Sequence, residues 1–289
     1  MPQQPERVDV PSAGGVTIAA YRWDPQGPPG AIAQIVHGVG EHALRYAPLA
    51  ERLAGRGLVV YAHDHRGHGA TLLAGQEPGA IGADGWAELV ADVGRVGRAA
   101  RTAHPSLKLV LIAHSLGSYA AQQFLLEHSD AVDAVAMTGT AAVDLLPLDL
   151  DAPVDLAAFN APFQPARTDF DWLSRDEAQV DAYVADPLCG FGLDIPGMKA
   201  MFAGTRKLAD KSLVSAMRPD LPIYLAVGEQ DPVNGQLALI HPLVDRYANG
   251  GLTDITLKVW EDARHEIFNE TNRDEVCADL FTWIDRKLG

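Results

Sequence analysis

Cysteine is nearly absent from this 289-residue chain: Cys189 and Cys277 are the only two. Two thiols exclude a disulfide framework, and the sequence predicts both as buried free thiols. Long hydrophobic runs are missing as well. No apolar stretch approaches the roughly 18 residues that a membrane span needs, and the apolar run 109–113 is only long enough for a core strand. The first ten residues, MPQQPERVDV, are polar and carry no apolar leader, so the expected location is the cytoplasm. Lysine is scarce, six of the 23 basic residues, a bias that accompanies GC-rich bacterial genomes. Basic residues are outnumbered 23 to 38 by acidic ones, giving a net charge of −15. A field of that sign repels phosphate backbones and anionic headgroups, which argues against a nucleic-acid partner.

What remains is a globular composition, 47% hydrophobic and 21% charged, unlike disordered or fibrous chains. At about 150 residues per domain the length suggests two domains, or one core with an insertion. Short β-branched runs alternate with helical patterns. Predicted strands cover 16–23, 31–36, 58–63, 107–113, 131–138, 222–227 and 255–260, with a weaker one at 8–10. Several are apolar on nearly every residue, as parallel strands covered on both faces require. Predicted helices cover 46–53, 86–101, 115–127 and 236–247, and a last one starts near Asn272, a candidate N-cap with Glu275 three residues on. This alternation implies a mostly parallel, doubly wound α/β sheet. Residues 141–217 break it, being rich in Pro, Asp and aromatics with no clear strand. A structureless loop of that length is improbable in a compact domain. The expected organisation is a core of residues 1–140 and 218–289 with a cap inserted at 141–217. Most of the cap's aromatics should form its own core, with Phe159, Phe163, Trp172, Met198 and Met201 as candidates for the substrate-binding wall.

Three motifs compete for the active site. Gly38-Val39-Gly40-Glu41-His42-Ala43 fits the dinucleotide fingerprint, and Asp64 follows at the end of the next strand. An NAD(P)-dependent oxidoreductase is therefore a rival reading. Against it, Glu41 puts a carboxylate where a pyrophosphate would sit. The same glycines free backbone N–H groups at a strand end, as an oxyanion hole requires. His63-Asp64-His65-Arg66-Gly67-His68 has the H-x-H-x-x-H spacing of metallohydrolase ligands. However, Gly67 stands where such hydrolases carry Asp, and Arg66 would repel a dication. Ala113-His114-Ser115-Leu116-Gly117, directly after a strand and before a helix, resembles the nucleophile elbow G-x-S-x-G with Ala in place of the first Gly. Small residues are needed there because the turn is sharp. Asp231 and His265 follow two later strands, in the chain order Ser, acid, His of α/β-hydrolases, so all three fall on one sheet edge. Glu229 is the backup acid.

These segments together resemble the monoacylglycerol lipase and lysophospholipase-like branch of the α/β-hydrolases. The likeness rests on His37-Gly38-Val39-Gly40-Glu41-His42 with Arg45-Tyr46, on Asp64-His65-Arg66-Gly67-His68-Gly69, on the Ser115 elbow, and on Gly228-Glu229-Gln230-Asp231 and Arg264-His265-Glu266. It accounts for both rival motifs. Ala113 and Ser118 depart from the pattern without removing a catalytic group. The resemblance implies an eight-stranded α/β-hydrolase fold with a helical cap and a serine carboxylic ester hydrolase that needs no cofactor and no metal. Ser115 would be the nucleophile, His265 the base and Asp231 its orienting acid, with the N–H groups of Val39 and Leu116 as oxyanion hole. His37 and His42 would only shape the loop. The implied substrate is a small lipophilic ester, a monoacylglycerol or lysophospholipid-like molecule, and the cap would touch lipid aggregates at most transiently. A general carboxylesterase or polyester hydrolase on the same triad is the alternative.

Overall fold

The computed structural model describes residues 4–289. Its centre is one eight-stranded sheet of β1 (Glu6–Pro11), β2 (Thr17–Trp23), β3 (Ala31–Val36), β4 (Leu58–His63), β5 (Leu109–His114), β6 (Ala134–Thr138), β7 (Ile223–Gly228) and β8 (Ile255–Trp260), in the order β1-β2-β4-β3-β5-β6-β7-β8. Strands β1 and β2 pair antiparallel with each other, and β2 antiparallel with β4; every other pairing is parallel. The mostly parallel sheet is thus as expected. The chain reverses after each parallel strand at the same edge, and that edge collects the loops after β3, β4, β5, β7 and β8.

The uniform apolarity of the inner strands has a simple cause. On β5, Leu109, Leu111 and Ala113 pack on one side of the sheet, and Val110 and Ile112 on the other. Both sides are covered. Helices α1 (Ala47–Gly55) and α8 (Arg273–Leu288) lie on one face, and α2 (Gly82–Ala103), α3 (Leu116–His128) and α7 (Ile240–Gly250) on the other. Each fully buried Ile or Leu in these layers contributes roughly 1.5–3 kcal/mol. No helix among the described residues is long and apolar enough to cross a membrane.

Between β6 and β7 the chain forms no strand among its described residues. It builds α4 (Glu177–Ala185), α5 (Ile195–Thr205), the one-turn α6 (Lys211–Val214) and several 3-10 turns. The abundance of Asp here has a local role. Asp155, Asp176, Asp194 and Asp210 each accept a backbone N–H at the start of a helical turn, worth about 1 kcal/mol apiece. Helix α5 packs against α2, burying Met198, Met201 and Phe202.

Three expectations need correction. Helix α7 starts at Ile240 rather than at 236, because Gln236 and Leu237 adopt positive φ and Asn234 accepts the Leu237 N–H. Asn272 precedes α8 but its side chain does not cap it; that oxygen accepts from Arg175 instead. Cys277 is a buried free thiol as expected, whereas Cys189 is only half-buried.

Candidate active site

Ser115 sits at the turn between β5 and α3 with φ 48° and ψ −118°, a region that L-residues with side chains seldom occupy. Its N–H donates to the Thr138 carbonyl of the neighbouring strand (2.9 Å), which anchors the strained residue. The demand for a small residue two positions later is steric: a Cβ on Gly117 would lie 2.5 Å from the Val36 carbonyl oxygen. Ala113 fits without any exposure. The Ser118 hydroxyl donates within the turn, 2.7 Å from the Ser115 carbonyl, so this departure from the elbow pattern fastens the turn. The Leu116 N–H is the first of α3 and has no partner within the helix. The helix N-terminus therefore points a free donor and its dipole at the space above Ser115.

The loops after β7 and β8 bring Asp231 and His265 together. Nδ1 of His265 lies 2.9 Å from Oδ2 of Asp231. A carboxylate can only accept, so Nδ1 carries the proton and Nε2 presents its lone pair. Asp231 is fully buried and also accepts the Val233 N–H. Burial alone would push the His265 pKa down. The charge and hydrogen bond of Asp231, with Glu266 and Glu41 behind, outweigh it, and the pKa is raised. The imidazole stacks obliquely on Trp172 (5.0 Å between centroids) and His114 (4.8 Å). Gly139 leaves the room it needs, since a Cβ there would come within 2.8 Å of the ring. The backup acid Glu229 is half-exposed and accepts the Asp262 N–H instead.

The loop after β3 carries the glycine motif. Glu41 folds back so that its Oε1 accepts the Gly38 N–H (2.5 Å) and the Tyr46 hydroxyl (2.8 Å). The donor a pyrophosphate would use is thus taken, and Asp64, the residue a ribose would need, accepts from the Ala43 and Ala70 N–H groups. Arg45 binds Glu41 (2.5 Å) and reaches Glu266 with both terminal nitrogens (2.7 and 2.8 Å). Sequence reasoning quoted these three residues without assigning them a role. His42 donates from Nε2 to the Asp186 carboxylate of the inserted segment at 2.9 Å, and Tyr183 donates its hydroxyl to the Gly40 carbonyl (2.8 Å), joined there by the Gly190 N–H.

The histidine run after β4 is turned inward. His65 Nε2 donates to the His37 carbonyl (2.9 Å), and His37 Nε2 accepts the His65 N–H (3.0 Å). His68 Nε2 accepts the Gly40 N–H (3.3 Å). The lone pairs of His37 and His68 serve backbone donors, and among the described residues the run brings no set of ligating atoms together. Burial lowers the pKa of His63 and His68 to about 4 and of His37 and His65 well below the usual value. Arg66 turns away to Asp92 (2.6 Å). Among the described residues, His42, Asp186 and Cys189 bring ligating atoms within 4.8 Å of one another, but burial pushes the Cys189 thiol up, which keeps it protonated.

Two cavities flank Ser115. One is small and polar, lined by Glu41, His114, Tyr183, His265 and Glu266. The other, about 60 Å³, is apolar, lined among others by Val39, Leu116, Tyr119, Leu146, Phe159, Trp172, Met198, Met201 and Phe202. Four of the five wall candidates are there. Phe163 is the exception: it lies outside the lining, its ring beneath the Arg264 guanidinium at 4.2 Å.

A family profile described as serine aminopeptidase, S33, matches residues 27–272. The chain is 31% identical over 277 residues to a monoacylglycerol lipase of Mycolicibacterium smegmatis, covering 94% of each chain. It is 28% identical over 309 residues to the monoglyceride lipase of Homo sapiens, covering 99% of this chain and 93% of that one. Its fold matches that of a thermostable carboxyl esterase from Bacillus coagulans, solved in complex with glycerol, with a TM-score of 0.88 at 24% identity, covering 99% of this chain and 100% of that one. A serine at a strained strand–helix turn, on the sheet of this fold, agrees with these likenesses: the chain belongs to the serine aminopeptidase S33 family of α/β-hydrolases and is a serine ester hydrolase of the monoacylglycerol lipase and esterase type.

Proposed function

We propose that this chain hydrolyses lipophilic esters, monoacylglycerols or lysophospholipid-like molecules, through an acyl-enzyme on Ser115. The observation that carries the reading is the shared cavity of Ser115 and His265, with Asp231 bonded to the far side of the imidazole. In this reading His265 Nε2 takes the Ser115 proton as Oγ attacks the ester carbonyl, then hands it to the departing alcohol. Asp231 holds the tautomer and stabilises the imidazolium. The Val39 and Leu116 N–H groups receive the oxyanion, each worth roughly 3 kcal/mol in the transition state. A water deprotonated by His265 then attacks the acyl carbon, releases the acid and restores Ser115. The protein supplies every proton transfer from its own side chains.

Residues 141–217 are proposed to act as the cap. The apolar cavity they share with the core takes the acyl chain, at about 0.8 kcal/mol for each buried methylene. Leu145, Val184 and Leu188 of this segment are exposed and suit brief contact with a lipid aggregate. The modest free volume favours a second reading, a general carboxylesterase of short acyl esters. A kcat/KM series from acetyl to decanoyl esters separates the two: a maximum at medium chains supports the lipase reading, and a steady fall from acetyl supports the esterase. Fluorophosphonate labelling with peptide mapping tests the nucleophile itself. One adduct per chain, on Ser115 and strongly slowed by His265→Ala, is expected. An adduct elsewhere, or none, overturns the mechanism.

A further inference from the structure

Glu266 directly follows the histidine of the proposed triad, is 6% exposed and lines the same polar cavity as Ser115 and His265. Its carboxylate meets Arg45 at two points, 2.7 and 2.8 Å, and receives a third bond from the Asn269 amide (2.8 Å). Arg45 belongs to the other side of the site. Its guanidinium also holds Glu41 (2.5 Å), whose second oxygen accepts the Gly38 N–H, one residue before the proposed oxyanion donor Val39. The guanidinium lies 4.8 Å from the centroid of the Tyr183 ring, and the Tyr183 hydroxyl donates to the Gly40 carbonyl. One continuous chain of hydrogen bonds therefore runs from the histidine loop to the oxyanion loop.

Three charges buried together are a poor source of stability, because desolvation offsets much of their attraction. What a two-point guanidinium–carboxylate pair does supply is fixed geometry. We propose that Glu266, acting through Arg45, is a positioning residue that holds the histidine loop in register with the oxyanion loop and places a carboxylate behind His265. The proposal rests on the serine-hydrolase reading given above. The groups that face the imidazole are Asp231, His114, Trp172, Glu266 and Glu41, with Arg45 behind the two glutamates. Burial raises the pKa of Glu41 itself, while the carboxylates of Glu266 and Glu41 both act on the ring to favour the imidazolium that forms during catalysis. Burial works against ionisation of Glu266, yet the Arg45 charge and hydrogen bonds hold its carboxyl down to about 2, so it stays charged across the working range.

The test compares Glu266→Gln with Arg45→Lys on a soluble p-nitrophenyl ester, reading kcat, KM, the pH profile of kcat/KM and the thermal midpoint. Glu266→Gln keeps the shape and removes the charge. Its acid limb should move about one unit to lower pH, and its kcat should fall 10- to 100-fold, the scale of a small misplacement, with KM within about threefold. Arg45→Lys keeps the charge but cannot bridge two carboxylates with one fork. It should lose a similar share of kcat while its acid limb stays in place. A folded Glu266→Gln with an unmoved limb and undiminished kcat overturns the proposal. So does an effect on KM alone, and if Glu266→Gln fails to fold, Arg45→Lys with undiminished kcat overturns it alone. Failure of the serine-hydrolase reading looks different: the wild-type protein itself would take no fluorophosphonate on Ser115.

Discussion

Two loops on the same sheet edge bury histidines and treat them in opposite ways. The end of β4 and the loop after it carry His63, His65 and His68, with His37 stacked against them at 4.2 Å from His65. Their ring partners, where they have any, are backbone groups, and burial keeps them neutral. The loop after β8 carries His265, equally buried, with Asp231 against it and a raised pKa. Burial is common to both loops, so it cannot be what sets the direction in which a histidine's pKa moves. The partner decides. A backbone carbonyl fixes a tautomer but favours the charged ring too little to offset burial, whereas a buried carboxylate does both.

The largest effect should come from removing that partner. Asp231→Asn preserves size but offers the wrong tautomer, and steady-state kinetics should show kcat down by about 10⁴. The neutral loop should reveal itself in stability instead. An unfolded histidine titrates near 6.5, and His63 and His68 in the fold near 4. Below pH about 6.5 the unfolded chain binds the extra protons, so the contribution of these rings is complete above that pH and lost as pH falls toward 4. The slope is about 1.4 kcal/mol per pH unit for each such histidine. His265 has the opposite sign, contributing below its unfolded pKa and losing that contribution as pH rises through its raised folded value. Denaturant midpoints between pH 7 and 5 should show the net fall, and His63→Leu should flatten it by about one proton. Next in size is Gly139→Ala, which pushes a methyl against the His114 and His265 rings and should cost about 10² in kcat, with the β4 loop and its acid slope unchanged. The smallest effect is Glu229→Gln, expected to alter kcat by less than about twofold; a large loss would transfer the acid's role from Asp231.

The inner strands could be read from the chain because parallel strands covered on both faces have no polar register to obscure them. The positions of Ser115, Asp231 and His265 were legible for a related reason: Ser115 follows β5 directly, and the short loops after β7 and β8 carry the other two to the same edge. What escaped was set at long range. Arg45 and Glu266 are 221 positions apart, and neither flanking sequence hints that one guanidinium closes the gap between two loops. Asn272 has the pattern of a cap, but Arg175 takes its side chain. Phe163 looks like its aromatic neighbours until Arg264 draws it aside. The start of α7 was masked because positive φ at Gln236 and Leu237, neither of them glycine, leaves no compositional mark. In the segment between β6 and β7, short turns begun by Asp caps replace long amphipathic periods, so periodicity had little to register.

The bonds from Tyr183 and Gly190 to the Gly40 carbonyl, with that from the Asp194 N–H to the Gly79 carbonyl, bear on how new specificities can arise on this scaffold. The stretch that walls the apolar cavity beside Ser115 is not a detachable module. A transplanted segment that lacks the Tyr183 hydroxyl would leave the Gly40 carbonyl one donor short. Change in substrate range is steered toward single substitutions at wall positions such as Met198 and Met201, which line the cavity without entering that set of bonds. Recombination and directed evolution on this chain are best confined to such positions.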